Sequence, residues 1–97
     1  MGYLLLLRSA VAKKILAKSP DATKYDELVG LLQENREAKK LSQEKLSAGV
    51  GESKNFVQKI EYMQRRVDVV EFYRLAKALS LDPVELFASF VERIEKK

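Results

Sequence analysis

Leu41-Ser42-Gln43-Glu44-Lys45-Leu46-Ser47-Ala48-Gly49-Val50-Gly51-Glu52-Ser53-Lys54-Asn55-Phe56-Val57-Gln58-Lys59-Ile60-Glu61 is the stretch that decides the fold. Ser42 is a good N-cap, because its hydroxyl can accept a bond from an orphan amide of the first turn. It predicts a helix over residues 43–48. Val50-Gly51-Glu52 then predicts a tight turn, with glycine at the position that needs positive φ. Ser53 is read as the cap of a second helix, running from Lys54 to about Met63. Two helices joined so closely must lock at a fixed angle, and that requires apolar side chains at their crossing. Leu46, Val50, Val57 and Ile60 supply them.

At about 100° per residue, Val57, Ile60 and Glu61 share the inner face of the second helix. Lys54, Asn55, Gln58, Lys59 and Tyr62 share the outer face, which is rich in donors and holds no carboxylate. Short helix, glycine turn and second helix together read as a helix-turn-helix, with a free face chemically suited to base edges and phosphates. Gly49, one residue before Val50, is expected to shorten or fray the first of these helices, at a cost of up to ~1 kcal/mol relative to alanine.

Outward from this centre the apolar spacing stays helical. Thr23, with Asp26 three residues on, resembles a capping pair for a helix that reaches about Lys40, with Leu28, Leu31 and Leu32 on one stripe. Gln64–Val67 reads as a basic loop. Asp68 and Glu71 resemble a second capping pair, opening a helix through Leu79. Asp82, Pro83 and Glu85 open a fifth helix. At the N-terminus, Leu4, Leu7, Val11 and Ile15 would form a helical stripe, widened by Leu5, Ala12 and Leu16. A short strand over residues 3–7 is the competing reading. The expected class is all-α. Residues 1–22 form an N-terminal extension, 23–82 the central domain and 83–97 a long C-terminal helix.

The composition narrows the chemistry. The chain has 97 residues, enough for one domain, and is 46% apolar and 33% charged, which is ordinary for a globular protein. It lacks cysteine and histidine, so zinc fingers and Ser-His or Cys-His catalysis are excluded. Neither a glycine-rich phosphate loop nor a metal-ligand cluster is apparent, so no enzyme, no cofactor and no metal site is expected. A net charge of +4 permits nucleic-acid binding without proving it. The run Leu4–Leu7 is followed at once by Arg8, and is too short for a membrane span of roughly 20 residues. A cytoplasmic protein with no membrane association is the expectation.

The stretches Leu41–Leu46, Val50–Ser53 and Val57–Glu61 resemble the Cro and phage-repressor (XRE-type) helix-turn-helix family. The likeness extends upstream to Tyr25 and Arg36, and downstream through Arg65-Arg66-Val67-Asp68 to Leu75–Leu79 and Asp82-Pro83, covering roughly residues 25–87. It implies a compact five-helix lambda-repressor-like domain. It also implies that Gln43 bonds a DNA phosphate and that Ser53, Lys54, Asn55 and Lys59 occupy base-reading positions. Asn55 would meet the N6/N7 edge of adenine, and Lys54 or Lys59 the O6/N7 edge of guanine. Arg65 and Arg66 would run along the DNA backbone, and Gln58 adds a phosphate contact from the outer face. Arg36 and Glu61 would form a structural ion pair between the first and third helices. Where relatives often have a small residue and glycine, this chain has Tyr62-Met63, so the end of the third helix is expected to differ.

Each assignment has a plainer rival: Lys54 and Lys59 as solvated surface lysines, Arg65-Arg66 as an ordinary charged loop. Phe56 reads as a packing residue at the core's edge rather than a contact to a thymine methyl. Leu86, Phe87, Phe90, Val91 and Ile94 form an apolar stripe on the fifth helix, and like Leu4–Leu7 they read as core, dimer interface or strand. A stripe with nothing left to cover in its own domain must meet the N-terminal extension or a partner. Leu4, Leu7, Phe87, Phe90, Val91 and Ile94 are therefore candidate contacts of a homodimer. The function expected is sequence-specific binding of double-stranded DNA, as a repressor or autoregulator reading the major groove with residues 54–63. The alternative is a protein-interaction module, such as an antitoxin or adaptor, binding a protein partner through its extensions.

Overall fold

The computed structural model of the protein describes residues 22–96. The readings of the N-terminal extension, including the helix-or-strand question and the Leu4 and Leu7 contacts, lie outside these residues. Among the described residues five helices follow one another: α1 (Ala22–Ala38), α2 (Gln43–Val50), α3 (Phe56–Glu61), α4 (Val69–Ala78) and α5 (Pro83–Glu95). Among the described residues there is no strand. α2 packs on α3 and α4, α1 on α3 and α5, and α4 on α5. The core at their centre includes Val29, Leu32, Leu46, Val57, Ile60, Leu75, Ala76, Leu79 and Leu86, all nearly closed to solvent. Each buried aliphatic side chain of this kind contributes roughly 1.5–3 kcal/mol.

The helix starts follow the sequence where a capping side chain exists. Ser42 Oγ accepts from the Lys45 amide at 3.0 Å. Asp68 and Glu71 form a reciprocal capping box: Asp68 Oδ1 accepts from the Glu71 amide, and Glu71 Oε1 from the Asp68 amide. Asp82 accepts from the Val84 amide at 2.8 Å, with Pro83 in the first turn. Thr23 departs from expectation. It lies within α1, so the anticipated capping pair with Asp26 is not the start of that helix.

The helix ends share one device. After α1, α2, α3 and α4 the chain closes with paired backbone bonds, such as Lys40 N–H to Glu37 O and Leu41 N–H to Arg36 O. These satisfy the last carbonyls and place one residue in the left-handed region. Gly51 takes that position after α2, at φ 85°. Elsewhere Lys40, Met63 and Ser80 take it, at φ 59°, 62° and 60°. Without glycine to mark the stop, the sequence reading ran α1 to about Lys40 and the third helix to about Met63, two residues beyond the ends observed. Met63 is only 3% exposed, so its burial offsets a conformation that costs a non-glycine residue about 1–2 kcal/mol. Gly49 does not fray α2, which runs on to Val50.

Candidate nucleic-acid interface

α3 is shorter than the sequence suggested. It starts at Phe56 rather than Lys54, because the Phe56 amide bonds back to Ser53 O across a turn containing Lys54 and Asn55. Ser53 therefore contributes its carbonyl to this turn. Asn55 takes the N-cap place without a side-chain bond to the helix. The Val57 amide is satisfied from another helix, by Ser47 Oγ at 3.0 Å. Ser47 in turn donates to Gln43 O at 2.8 Å and has no exposed surface. This hydroxyl sets how the start of α3 sits on α2. Sequence reasoning missed it; the only signal was a small polar residue beside Leu46 on a face due to be buried.

The other end of α3 is fixed by charge. Glu61 is 2% exposed. Arg36 donates to it through Nε at 2.7 Å and Nη2 at 3.1 Å, and Gln43 Nε2 donates at 2.7 Å. Arg36 Nη1 also donates to Leu41 O, holding the α1–α2 connection. The carboxylate can only accept, so Gln43 must turn its amide nitrogen inward. One Gln43 hydrogen is thus spent on Glu61, and the other remains for an outside acceptor.

On the outer side, Ser53, Lys54, Asn55 and Lys59 are exposed, and Gln58 is half-buried. Lys54 and Lys59 make no ion pair among the described residues. The nearby carboxylates are mostly committed. Glu52 accepts from Arg74 Nη2 at 3.0 Å, while Arg74 Nη1 holds Val50 O at the end of α2. Glu61 is buried in its own network, which leaves Glu44 as the exposed acid of α2. The turn and the outer face of α3 therefore present cations and amide groups to solvent. Phe56, 4% exposed, is part of the core.

The two arginines of the following loop differ. Arg65 grips Glu71 with Nη1 and Nη2, both at 3.0 Å, and its guanidinium covers the Phe56 ring at 4.8 Å. The Arg65 hydrogen bonds hold the Glu71 carboxyl below the usual carboxylate range and raise Arg65. Arg66 is exposed and lies over the Tyr25 ring at 5.0 Å.

The apolar stripe of α5 is divided. Leu86 is core, Phe90 packs against the core, and Val91 and Ile94 are half-buried. Its remaining exposed member, Phe87, is 52% exposed, edge-on to Phe72 and tilted against Phe90. Of the readings open for this stripe, core holds for Leu86, and Phe90 packs against the core. Val69, Val70 and Tyr73 of α4 are also exposed. No helix among the described residues is long and apolar enough to cross a membrane.

The Helix-turn-helix family model matches residues 32–86, more than half of the chain, from within α1 through α2, α3 and α4 to the start of α5. The chain belongs to the helix-turn-helix family. Among solved structures, it is similar to the restriction-modification controller protein C.AhdI from Aeromonas hydrophila. The two are 40% identical with a TM-score of 0.57, over 62% of this chain and 91% of that one. No curated protein matches. This helix-turn-helix protein is of the XRE type, and is a DNA-binding transcription regulator.

Proposed function

We propose that the protein binds a specific double-stranded DNA site as a homodimer and represses transcription there, in the manner of an autoregulator. The observation that carries this reading is the exposed, donor-rich set of Ser53, Lys54 and Asn55 in the turn before α3 and Lys59 on α3, a helix fixed at both ends by buried polar contacts. In this reading the short helix 56–61 and the turn before it enter the major groove. Asn55 and the two lysines discriminate bases. Gln43 and Gln58 contact phosphates, helped by the amide groups at the start of α2. Cationic contacts supply much of the affinity by counterion release.

Two copies would place two such helices about 34 Å apart, one turn of DNA. The exposed Tyr73 and Phe87, with the half-buried Val91 and Ile94, support a dimer contact on α4 and α5. The similarity to a restriction-modification controller protein supports a regulatory role.

The test is a fluorescence-anisotropy titration with the duplex upstream of the protein's own gene and a scrambled duplex. Tight, salt-sensitive binding to the first and weak binding to the second is expected. Asn55→Ala should erode that difference, weakening the specific duplex by about 1–3 kcal/mol. Equal loss on both duplexes would refute a base-reading role for Asn55. Binding to neither would favour the protein-interaction reading instead.

A further inference from the structure

The loop after α3 carries two adjacent arginines that the sequence treats alike, and the fold gives them different duties. The Arg65 guanidinium is occupied on its edge by both Glu71 oxygens and on its face by Phe56. A guanidinium whose charge is already neutralised at 3.0 Å offers little to a phosphate. Arg66 is exposed, has no carboxylate partner among the described residues, and rests on the face of Tyr25. Its donors are free, while its plane is supported from beneath.

Tyr25 serves this loop twice. Its hydroxyl donates to Arg65 O at 3.0 Å, pinning the backbone immediately before Arg66. Its ring, 8% exposed and anchored in α1, supplies the platform for the guanidinium. Burial raises the Tyr25 phenol above its ordinary value, against the lowering effect of Arg66, so the hydroxyl stays protonated and able to donate. Stacking on an aromatic face holds an arginine without consuming its hydrogen bonds, whereas an ion pair does consume them.

We infer that Arg66 is the cation by which this loop contacts the DNA backbone, with Tyr25 as its positioning residue and Arg65 as the clamp that ties the loop to α4. This rests on the proposal that the protein binds DNA through this face. Phosphate contacts carry no sequence information, so the effect must fall on specific and scrambled duplexes alike.

The experiment measures the slope of log K against log salt concentration on both duplexes, for the full chain and three variants. Arg66→Ala should lower the slope by about 0.9, one phosphate contact, on both duplexes. Tyr25→Leu should lower it by most of the same amount, and Tyr25→Phe, which keeps the ring, should restore it. Tyr25→Leu combined with Arg66→Ala should be no weaker than Arg66→Ala alone. An unchanged slope for Tyr25→Leu, with the loss intact for Arg66→Ala, would overturn the positioning role alone. An unchanged slope for Arg66→Ala, while the unmutated protein still binds, would overturn the whole inference without touching the DNA-binding proposal.

Should Tyr25→Leu fail to fold, the unmutated protein supplies the readout. Nuclear Overhauser contacts between the Arg66 side chain and the Tyr25 ring should be present in the free protein and persist on DNA. Their absence in both states would refute the stacking.

Discussion

Replacing Ser47 with alanine isolates the contact that seats α3 on α2. The Ser47 hydroxyl makes two bonds, donating to Gln43 O and accepting from the Val57 amide. These are not equivalent when lost. The Gln43 carbonyl lies at the start of α2 and keeps its helical i→i+4 bond. The Val57 amide belongs to a residue only 3% exposed, and Ser47 Oγ is its acceptor. An orphaned buried donor costs about 1–3 kcal/mol, and the better helix propensity of alanine returns up to ~0.5 kcal/mol. The net expectation is a loss of about 1–2.5 kcal/mol, or a Tm lower by roughly 5–15 °C for a domain of this size. Urea unfolding followed by circular dichroism measures it, with an unchanged m value showing that the folded and unfolded states keep their compactness. The exposed Ser53→Ala is the control and should change stability by less than ~0.5 kcal/mol. A Ser47→Ala loss no larger than that of the control would refute the view that this hydroxyl is what satisfies Val57.

Arg36→Ala should cost about 3–5 kcal/mol, because it leaves Glu61 buried with Gln43 as its remaining partner, and the double variant Arg36→Met, Glu61→Leu should recover most of the loss in the same assay. Gly49→Ala should stabilise by about 0.5–1 kcal/mol, since a Cβ there would sit 3.5 Å from that of Ala78, at ordinary contact distance; a thermal melt checks it. Glu71 has a lowered pKa in the folded state, chiefly from its Arg65 hydrogen bonds, so its stabilising contribution is present above the usual carboxylate range and lost as pH falls through the folded value. Acid unfolding of Glu71→Gln should accordingly show a shallower dependence on pH in that window than the unmutated protein. Phe87→Glu should leave the monomer folded, because the side chain is half exposed, and should abolish the proposed dimer in sedimentation equilibrium.

What the chain carried in plain view were local rules. Ser42, Asp68 and Asp82-Pro83 mark helix starts because a side chain beside an orphan amide satisfies it whatever the rest of the fold does. Gly51 marks a turn for an equally local reason, its freedom at φ 85°. The 3.6-residue spacing of Leu46, Val50, Val57 and Ile60 named the crossing of the two helices, and with it the face left over for solvent.

Tertiary structure decided what depends on a distant partner. Met63 ends α3 in the left-handed region because the core accepts its side chain, and nothing in its identity announces a stop. Lys54 and Asn55 lie in a turn rather than in a helix because the Phe56 amide closes back on Ser53 O, while Ser47, on the preceding helix, takes the Val57 amide in the first turn of α3. Arg65 and Arg66 are neighbours of the same type, separated in role only when α4 brings Glu71 to one and α1 brings Tyr25 to the other. Spacing along a chain reports which residues can share a face. Which cation is neutralised and which is left free is set by the groups that folding delivers to it from elsewhere.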